Sequence, residues 1–183
     1  MSLIAKGTGE KFETPPCGLQ PAICANVYDL GYQKGLEGKI QHKCALLWEL
    51  AEKKQDGERF MVTKLYTLSL NEKANLRKDL TSWRTRDFTD AELEGFDLEN
   101  IIGKTCQLNL VATQRNGSTY VNVDSVLPAA KGLPPMVVIA GRDFCPEWVK
   151  KMAASALPPP QAPIGSEAPQ HAEGESFTDD IPF

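Results

Sequence analysis

Flat rings and positive charges alternate along one stretch of the chain, a combination that can hold a nucleic acid. Within 58–70, Phe60, Lys64 and Tyr66 share one parity of a β-rich run. Rings on such a face can stack on unpaired bases at about 1–3 kcal/mol per base, and lysine binds phosphate. The same alternation is also typical of a face that packs into a protein core, with Lys64 at its edge. Both interpretations stay open at this point.

Further cationic and aromatic side chains are candidates for the same chemistry. They are Tyr32, Lys34 and Lys39 in a glycine-containing loop, Lys43 and Trp48 in the following run, Arg84 and Arg86 after a helix, and Arg115 and Tyr120 around a hairpin. Each has a structural alternative. The loop can be plainly solvated, Trp48 shares a parity with apolar residues and suits a core, and arginines at a helix C-terminus complement its dipole.

Enzymatic and metal chemistry find little support in the sequence. Six acidic residues cluster in 87–99, as a two-metal nuclease would require, but they surround a short capped helix where a solvated acidic face is expected. No phosphate-binding glycine loop, HExxH or nucleophile elbow occurs. Only two histidines are present, and the five cysteines form no CxxC pair, so we expect reduced, mostly buried thiols. We predict no enzyme activity, metal or cofactor.

Charge is distributed unevenly over the 183 residues. The chain carries 20 Lys and Arg against 24 Asp and Glu, but 157–183 contains five acidic residues and no basic one. The remaining body is close to neutral. Six of the 13 prolines also fall in this tail, so we predict a disordered linker. No apolar run is long enough for a membrane helix, and the N-terminus lacks the apolar stretch of a signal peptide. We therefore expect a cytoplasmic location.

The elements that would position these residues follow from hydrophobic periodicity. Five predicted strands cover 19–30, 40–50, 58–70, 104–112 and 119–126. Leu76, Leu80 and Trp83 form one stripe of a helix between the third and fourth strands. Capping boxes are predicted at Ser69 with Glu72 and at Thr89 with Glu92. The sequence Asn116-Gly117 predicts a hairpin turn between the last two strands.

Three strands, one main helix and two strands are the element order of an OB-fold, a five-stranded, partly open barrel. We therefore predict an all-β OB-fold domain over 1–132, although a five-stranded α+β sheet would look similar. Residues 133–156 form an extension, with a candidate sixth strand at 136–140 and a short helix that begins near Pro146. The region 157–183 is the linker and its acidic tip.

The chain ends in Asp179, Asp180, Ile181, Pro182 and Phe183. This ending resembles the C-terminal tip of bacterial single-stranded DNA-binding proteins, and several phage-encoded proteins of that type also end in acidic residues and a phenylalanine. The match covers these five residues and the general layout of body, proline-rich linker and tip. The body departs from the bacterial housekeeping pattern, so a phage relative acting in an infected bacterial cell fits better.

The resemblance implies a protein that coats single-stranded DNA during replication, recombination or repair and recruits partner enzymes through its tip. The residues of the tip, without the resemblance, support the recruitment of partner enzymes. The ring of Phe183 beside the terminal carboxylate suits an apolar pocket with a basic rim. An acidic tail that only aids solubility is the alternative for the tip. An adaptor that binds partner proteins without DNA, and an RNA-binding protein, are alternative functions. The sequence leaves open whether the chain forms a homo-oligomer.

Overall fold

Most of the regular structure in this computed structural model, which describes residues 13–35 and 38–160, is β-strand. The strands are β1 (Gly18–Lys34), β2 (Ile40–Lys53), β3 (Arg59–Thr67), β4 (Thr105–Arg115) and β5 (Ser118–Pro128). The helices are α1 (Asn75–Arg84), α2 (Asp90–Glu94) and α3 (Glu147–Ala154), and a 3-10 turn covers Leu98–Ile101. The predicted β-dominated architecture, with its main helix between the third and fourth strands, is confirmed.

The five strands form one antiparallel sheet in the order β3-β2-β1-β4-β5. Strands β3 and β5 are its two edges, so the sheet of the described residues is open and a fully closed barrel is not present. The edges nevertheless come together through a side chain, because Lys64 Nζ on β3 donates to the carbonyl oxygen of Asp124 on β5 at 2.6 Å. The sheet is therefore strongly curved around its inner face.

The inner face of the sheet carries the main core, which α1 covers. Leu76, Leu80 and Trp83 of α1 are all buried there, as the helical stripe predicts. The indole Nε1 of Trp83 donates to the carbonyl oxygen of Thr105 at 2.8 Å and fixes the helix to the start of β4. Burial of these large apolar side chains is the main force that holds α1 on the sheet.

The extension 133–156 forms a second layer on the outer face of β1 and β2. Val149 of α3 is buried against Leu30 and Ala45. Gly31, at a φ of 65°, permits this close packing, because a Cβ there would lie 2.7 Å from Cβ of Ala156. The predicted sixth strand at 136–140 is wrong, since this segment joins no ladder and is held instead by a side chain of β2 described below.

The local turn and cap signals gave mixed outcomes. Thr89 and Glu92 form the predicted capping box at the start of α2. Asn116 and Gly117 both have positive φ, as the predicted two-residue hairpin turn requires. The box predicted at Ser69 is wrong, because its hydroxyl accepts from the backbone N–H of Asn71 in a local turn and α1 begins later, after Ala74.

The cysteines are free thiols, and most of them are buried. Burial raises the pKa of Cys24 and Cys44 to about 12, so both remain neutral at physiological pH. Within the described ranges, no three His, Cys, Asp or Glu side chains lie close enough together to hold a metal ion. The helices of the same ranges are too short or too polar to cross a membrane.

Candidate nucleic-acid interface

Strand β3 has one buried row of side chains and one open row. Its inner row contains Phe60, Val62 and Tyr66, all part of the main core. The outer row consists of Met61, Thr63, Leu65 and Thr67, with Leu65 49% exposed. The extension covers the neighbouring outer face of β2 and reaches β3 at two places, the hydrogen bond from Arg59 to the carbonyl oxygen of Val137 and the side chain of Trp148, but leaves most of the outer row of β3 exposed. The open row is therefore a part of the sheet that a ligand can reach.

Two shallow depressions meet at Leu65 on this open face. The first lies between β3, β5 and α3 and is lined by Thr63, Lys64, Leu65, Asn122, Val123 and Trp148. The second lies between β2, the end of β3 and the turn before α1, and is lined by Gln41, Lys43, Leu65, Tyr66, Thr67, Ser69, Asn71, Lys73, Ala74 and Asn75. Together they form a groove, which we call the β3 groove. Its described lining contains lysines, amides and hydroxyls but no carboxylate.

Two lysines give the β3 groove its positive charge. The ammonium of Lys43 donates to Gln41 Oε1 and Thr67 Oγ1, both at 2.7 Å, so neutral oxygens hold it in place while its charge stays uncompensated. Lys73 is exposed in the turn before α1. Neither lysine makes an ion pair with a carboxylate in the described part of the chain. Such cations can pair with phosphate without first breaking a salt bridge.

The three predicted stacking rings Trp48, Phe60 and Tyr66 are corrected by the structure. All three are buried in the main core and present no face to a ligand. The Tyr66 hydroxyl donates to Asp79 Oδ2 at 2.7 Å, and burial, reinforced by the Asp79 carboxylate, raises its pKa so that the group stays protonated. The predicted alternation in β3 is confirmed, and its aromatic row is the one that packs inward.

Lys64 also has a structural role. Its ammonium forms an ion pair with Asp79 Oδ2 at 2.7 Å and donates a hydrogen bond to the carbonyl oxygen of Asp124 on β5. It borders the first depression, yet its charge is already compensated. Of the lysines predicted on the third strand and beside it, the structure therefore leaves Lys43 as the available cation.

Arg84 and Arg86 at the end of α1 are held by one carboxylate. Both guanidinium groups donate to Glu92, and Arg84 lies over the rings of Phe88 and Phe96, at 4.5 and 5.0 Å from their centroids. The hydrogen bond from Arg86, with help from the backbone of Thr89 and from Arg84, lowers the pKa of Glu92 to about 2. The predicted phosphate contacts are here part of a structural cluster.

The predicted loop between the first two strands and the tip of the predicted hairpin between the last two lie outside the lining of the β3 groove. Tyr32 stacks on His42 with ring centroids 4.8 Å apart, and its carbonyl oxygen accepts from Leu157. Lys34 and Lys39 are exposed at the turn between β1 and β2. On the other hairpin Arg115 is exposed and Tyr120 is 52% exposed. These side chains can extend an interface beyond the groove, but they do not form its centre.

Sequence reasoning missed two contributors to the groove. Lys73 lies in the turn that the wrong capping box placed inside a helix. Trp148 lies on α3, a helix that the sequence predicts without indicating what it packs against. The signal for the outer row was present, because Thr63 and Leu65 occupy the opposite parity to Phe60 and Tyr66. The predicted partner-binding residues Asp179–Phe183 lie outside the described residues.

Comparison with known proteins adds no assignment. No protein-family model matches the sequence, and no curated protein resembles it significantly. The functional inference therefore depends on the chain's own residues: an open groove on the β3 face whose described lining holds no carboxylate, and a terminal acidic and aromatic sequence.

Proposed function

We propose that this chain binds single-stranded DNA in the β3 groove and recruits replication or repair enzymes through its C-terminal tip. The observation that carries the DNA-binding part is the groove itself, which combines amides and hydroxyls with Lys43 and Lys73, neither of them paired with a carboxylate within 13–35 and 38–160, and whose described lining holds no carboxylate. In a body that is nearly neutral overall, this is a local segregation of positive charge. Such a surface attracts phosphates without requiring a base sequence.

The strand order supports an OB-fold interpretation of the body. In that fold the face of the second and third strands, with the loops between strands one and two and between strands four and five, binds oligonucleotides. The β3 groove lies on the corresponding face of this sheet. The exposed side chains of Lys34 and Arg115 lie on the corresponding loops. We include these loops as flanking contacts for a strand longer than the groove.

The tip supports recruitment of partner proteins. Phe183 offers an apolar ring next to the terminal carboxylate, and Asp179 and Asp180 add negative charge that speeds encounter with a basic pocket. A linker of about twenty residues between the described body and these residues permits binding at some distance from the DNA.

The test of DNA binding is a titration of the full chain with oligo-dT over a salt series. We expect the logarithm of the binding constant to fall with log salt by about 0.7 per phosphate neutralised. Lys43→Ala with Lys73→Ala should lower the slope by about 1.4. Lys104→Ala with Lys131→Ala is the matched control, because it removes the same charge from exposed sites outside the groove.

Each outcome of this titration distinguishes a different function. Absence of oligo-dT binding in dilute buffer, with retained capture of replication enzymes by the tip, would overturn DNA binding and identify the adaptor. Tighter binding of oligo-U than of oligo-dT would identify an RNA-binding protein. An equal loss of slope in both double variants would show that binding is a property of overall charge and not of the β3 groove. Deletion of 179–183 should abolish enzyme capture while oligo-dT binding persists.

A further inference from the structure

We infer that the extension 133–156 forms one wall of the β3 groove through Trp148, and that Trp148 is the residue of the groove that stacks on a base. This inference rests on the proposed function, since it assigns a residue of the same groove. Trp148 is 38% exposed on α3, and it lines the depression between β3 and β5 together with Thr63, Leu65 and Asn122. Among the side chains that line the groove, it has the only extended ring with an accessible surface.

The position of the Trp148 backbone is fixed by the residue that follows it. Val149 is 2% exposed and packs against β1 and β2, so α3 cannot rotate without removing an apolar side chain from the second core. Consecutive helical residues point about 100° apart, which places Trp148 on the flank of the helix, toward β3. With the backbone held in this way, only the side-chain torsions of Trp148 have to be ordered on binding, which favours its use as an anchor.

Polar bonds tie the rest of the extension to the sheet on both sides of Trp148. The buried carboxylate of Glu49 accepts from the backbone N–H groups of Ile139 and Ala140. Asn26 Nδ2 donates to the carbonyl oxygen of Arg142 at 2.9 Å, and Gln33 Nε2 donates to that of Met152 at 2.8 Å. These bonds anchor the chain before the helix and near the C-terminal end of the helix. The extension is therefore preorganised and needs no ligand to bring Trp148 to the groove.

The occupant that fits this wall is an unpaired nucleotide base. An indole face stacks on any base, and the neighbouring Thr63 and Asn122 supply hydrogen-bonding groups without charge. Lys43 lies on the far side of Leu65, where it can reach the phosphate backbone of the same strand. A duplex would not serve, because its bases are already stacked on one another and present no free face.

The first test uses Trp148→Ala, Trp148→Phe and the control Phe144→Ala, which truncates an exposed aromatic of the same extension outside the groove. Loss of one stacked base corresponds to roughly tenfold weaker oligo-dT binding. We expect this loss for Trp148→Ala, near-normal binding for Trp148→Phe and Phe144→Ala, and an unchanged salt slope in all three. Oligo-dT should quench the wild-type tryptophan fluorescence and leave that of Trp148→Phe nearly unchanged, because Trp48 and Trp83 are buried.

A second measurement needs no substitution and covers the case in which Trp148→Ala loosens α3. Ultraviolet cross-linking of the wild-type chain to an oligonucleotide containing 5-iodouracil should attach the base to the peptide that carries Trp148. Normal oligo-dT binding by Trp148→Ala, or cross-links confined to other peptides, would overturn this inference and leave DNA binding intact. Failure of the wild-type chain to bind oligo-dT at all would instead overturn the proposed function.

Discussion

The two faces of strand β3 separate the side chains that the fold uses from those that a ligand can use. On the inner face, Phe60 and Tyr66 are buried and Lys64 is paired with Asp79. On the outer face, Thr63 and Leu65 border an open groove in which Lys43 and Lys73 have no carboxylate partner among the described residues. Rings and charges therefore indicate a binding surface only when they are accessible and uncompensated. Residue type alone does not distinguish the two faces.

The largest expected effect on stability comes from one of two separate single variants, Phe60→Ala on the inner face and Leu65→Ala on the outer face. Phe60→Ala removes a buried ring and should lower the free energy of unfolding by about 3–5 kcal/mol, while the folded fraction keeps its oligo-dT affinity. Leu65→Ala removes a half-exposed side chain and should cost about 1 kcal/mol or less, but it should weaken oligo-dT binding. Urea unfolding and a titration on the folded proteins measure both quantities. The reverse pattern would show that the faces are assigned wrongly.

Sequence reasoning could predict the elements of this fold because their signals are local. The stripe of Leu76, Leu80 and Trp83, the box of Thr89 with Glu92, and the alternation in β3 each depend on neighbours within one element. How closely the two edges of the sheet approach each other could not be predicted, because the distance between β3 and β5 depends on the curvature of all five strands.

The candidate site was harder to predict, because period-2 alternation defines two rows but not which one packs inward. Here aromatic burial decided the matter, since Phe60 and Tyr66 supply more apolar area to the core than Thr63 and Leu65 could. The role of Trp148 depends on contacts of the extension with β1 and β2, which are distant in sequence. The capping box predicted at Ser69 is wrong because serine and asparagine also form local turns. Here the backbone N–H of Asn71 donates to the Ser69 hydroxyl.

The outer face of β2 differs from that of β3, because the extension covers the outer face of β2 and leaves most of the outer face of β3 open. Glu49 is fully buried on β2 and accepts from Ile139, Ala140 and Arg59. Glu49→Gln removes the charge and part of the accepting capacity, which should cost about 1–3 kcal/mol of unfolding free energy. Hydrogen exchange should become faster at the amides of Ile139 and Ala140.

The matched control for this variant is Glu52→Gln, because Glu52 is exposed on the same strand. It should leave both the unfolding free energy and the amide protection unchanged. If Glu49→Gln also left the protection of the two amides unchanged, the carboxylate would not be what holds the extension against β2. The contrast between a covered and an open outer face would then need another cause.

The smallest expected effect concerns the arginines that the fold has engaged. Because Arg86, Thr89 and Arg84 bond to the Glu92 carboxylate, its folded pKa of about 2 lies below its ordinary value of 4.5. Its contribution to stability is therefore complete above pH 4.5 and is lost as the pH falls through about 2. Glu92→Gln should be slightly less stable than wild type at pH 7, and the difference should shrink between pH 4.5 and 2. Thermal unfolding across this range measures it.

The same variant tests whether Arg84 and Arg86 belong to the fold or to the ligand surface. Glu92→Gln releases both guanidinium groups and raises the net charge by one, a change that Glu94→Gln reproduces at an exposed site on the same helix. If these arginines serve the fold, the two variants should bind oligo-dT with the same affinity and salt slope. Tighter binding and a steeper slope in Glu92→Gln alone would return Arg84 and Arg86 to the list of phosphate contacts. Such a result would extend the interface from the β3 groove to the end of α1, since free cations there would neutralise additional phosphates.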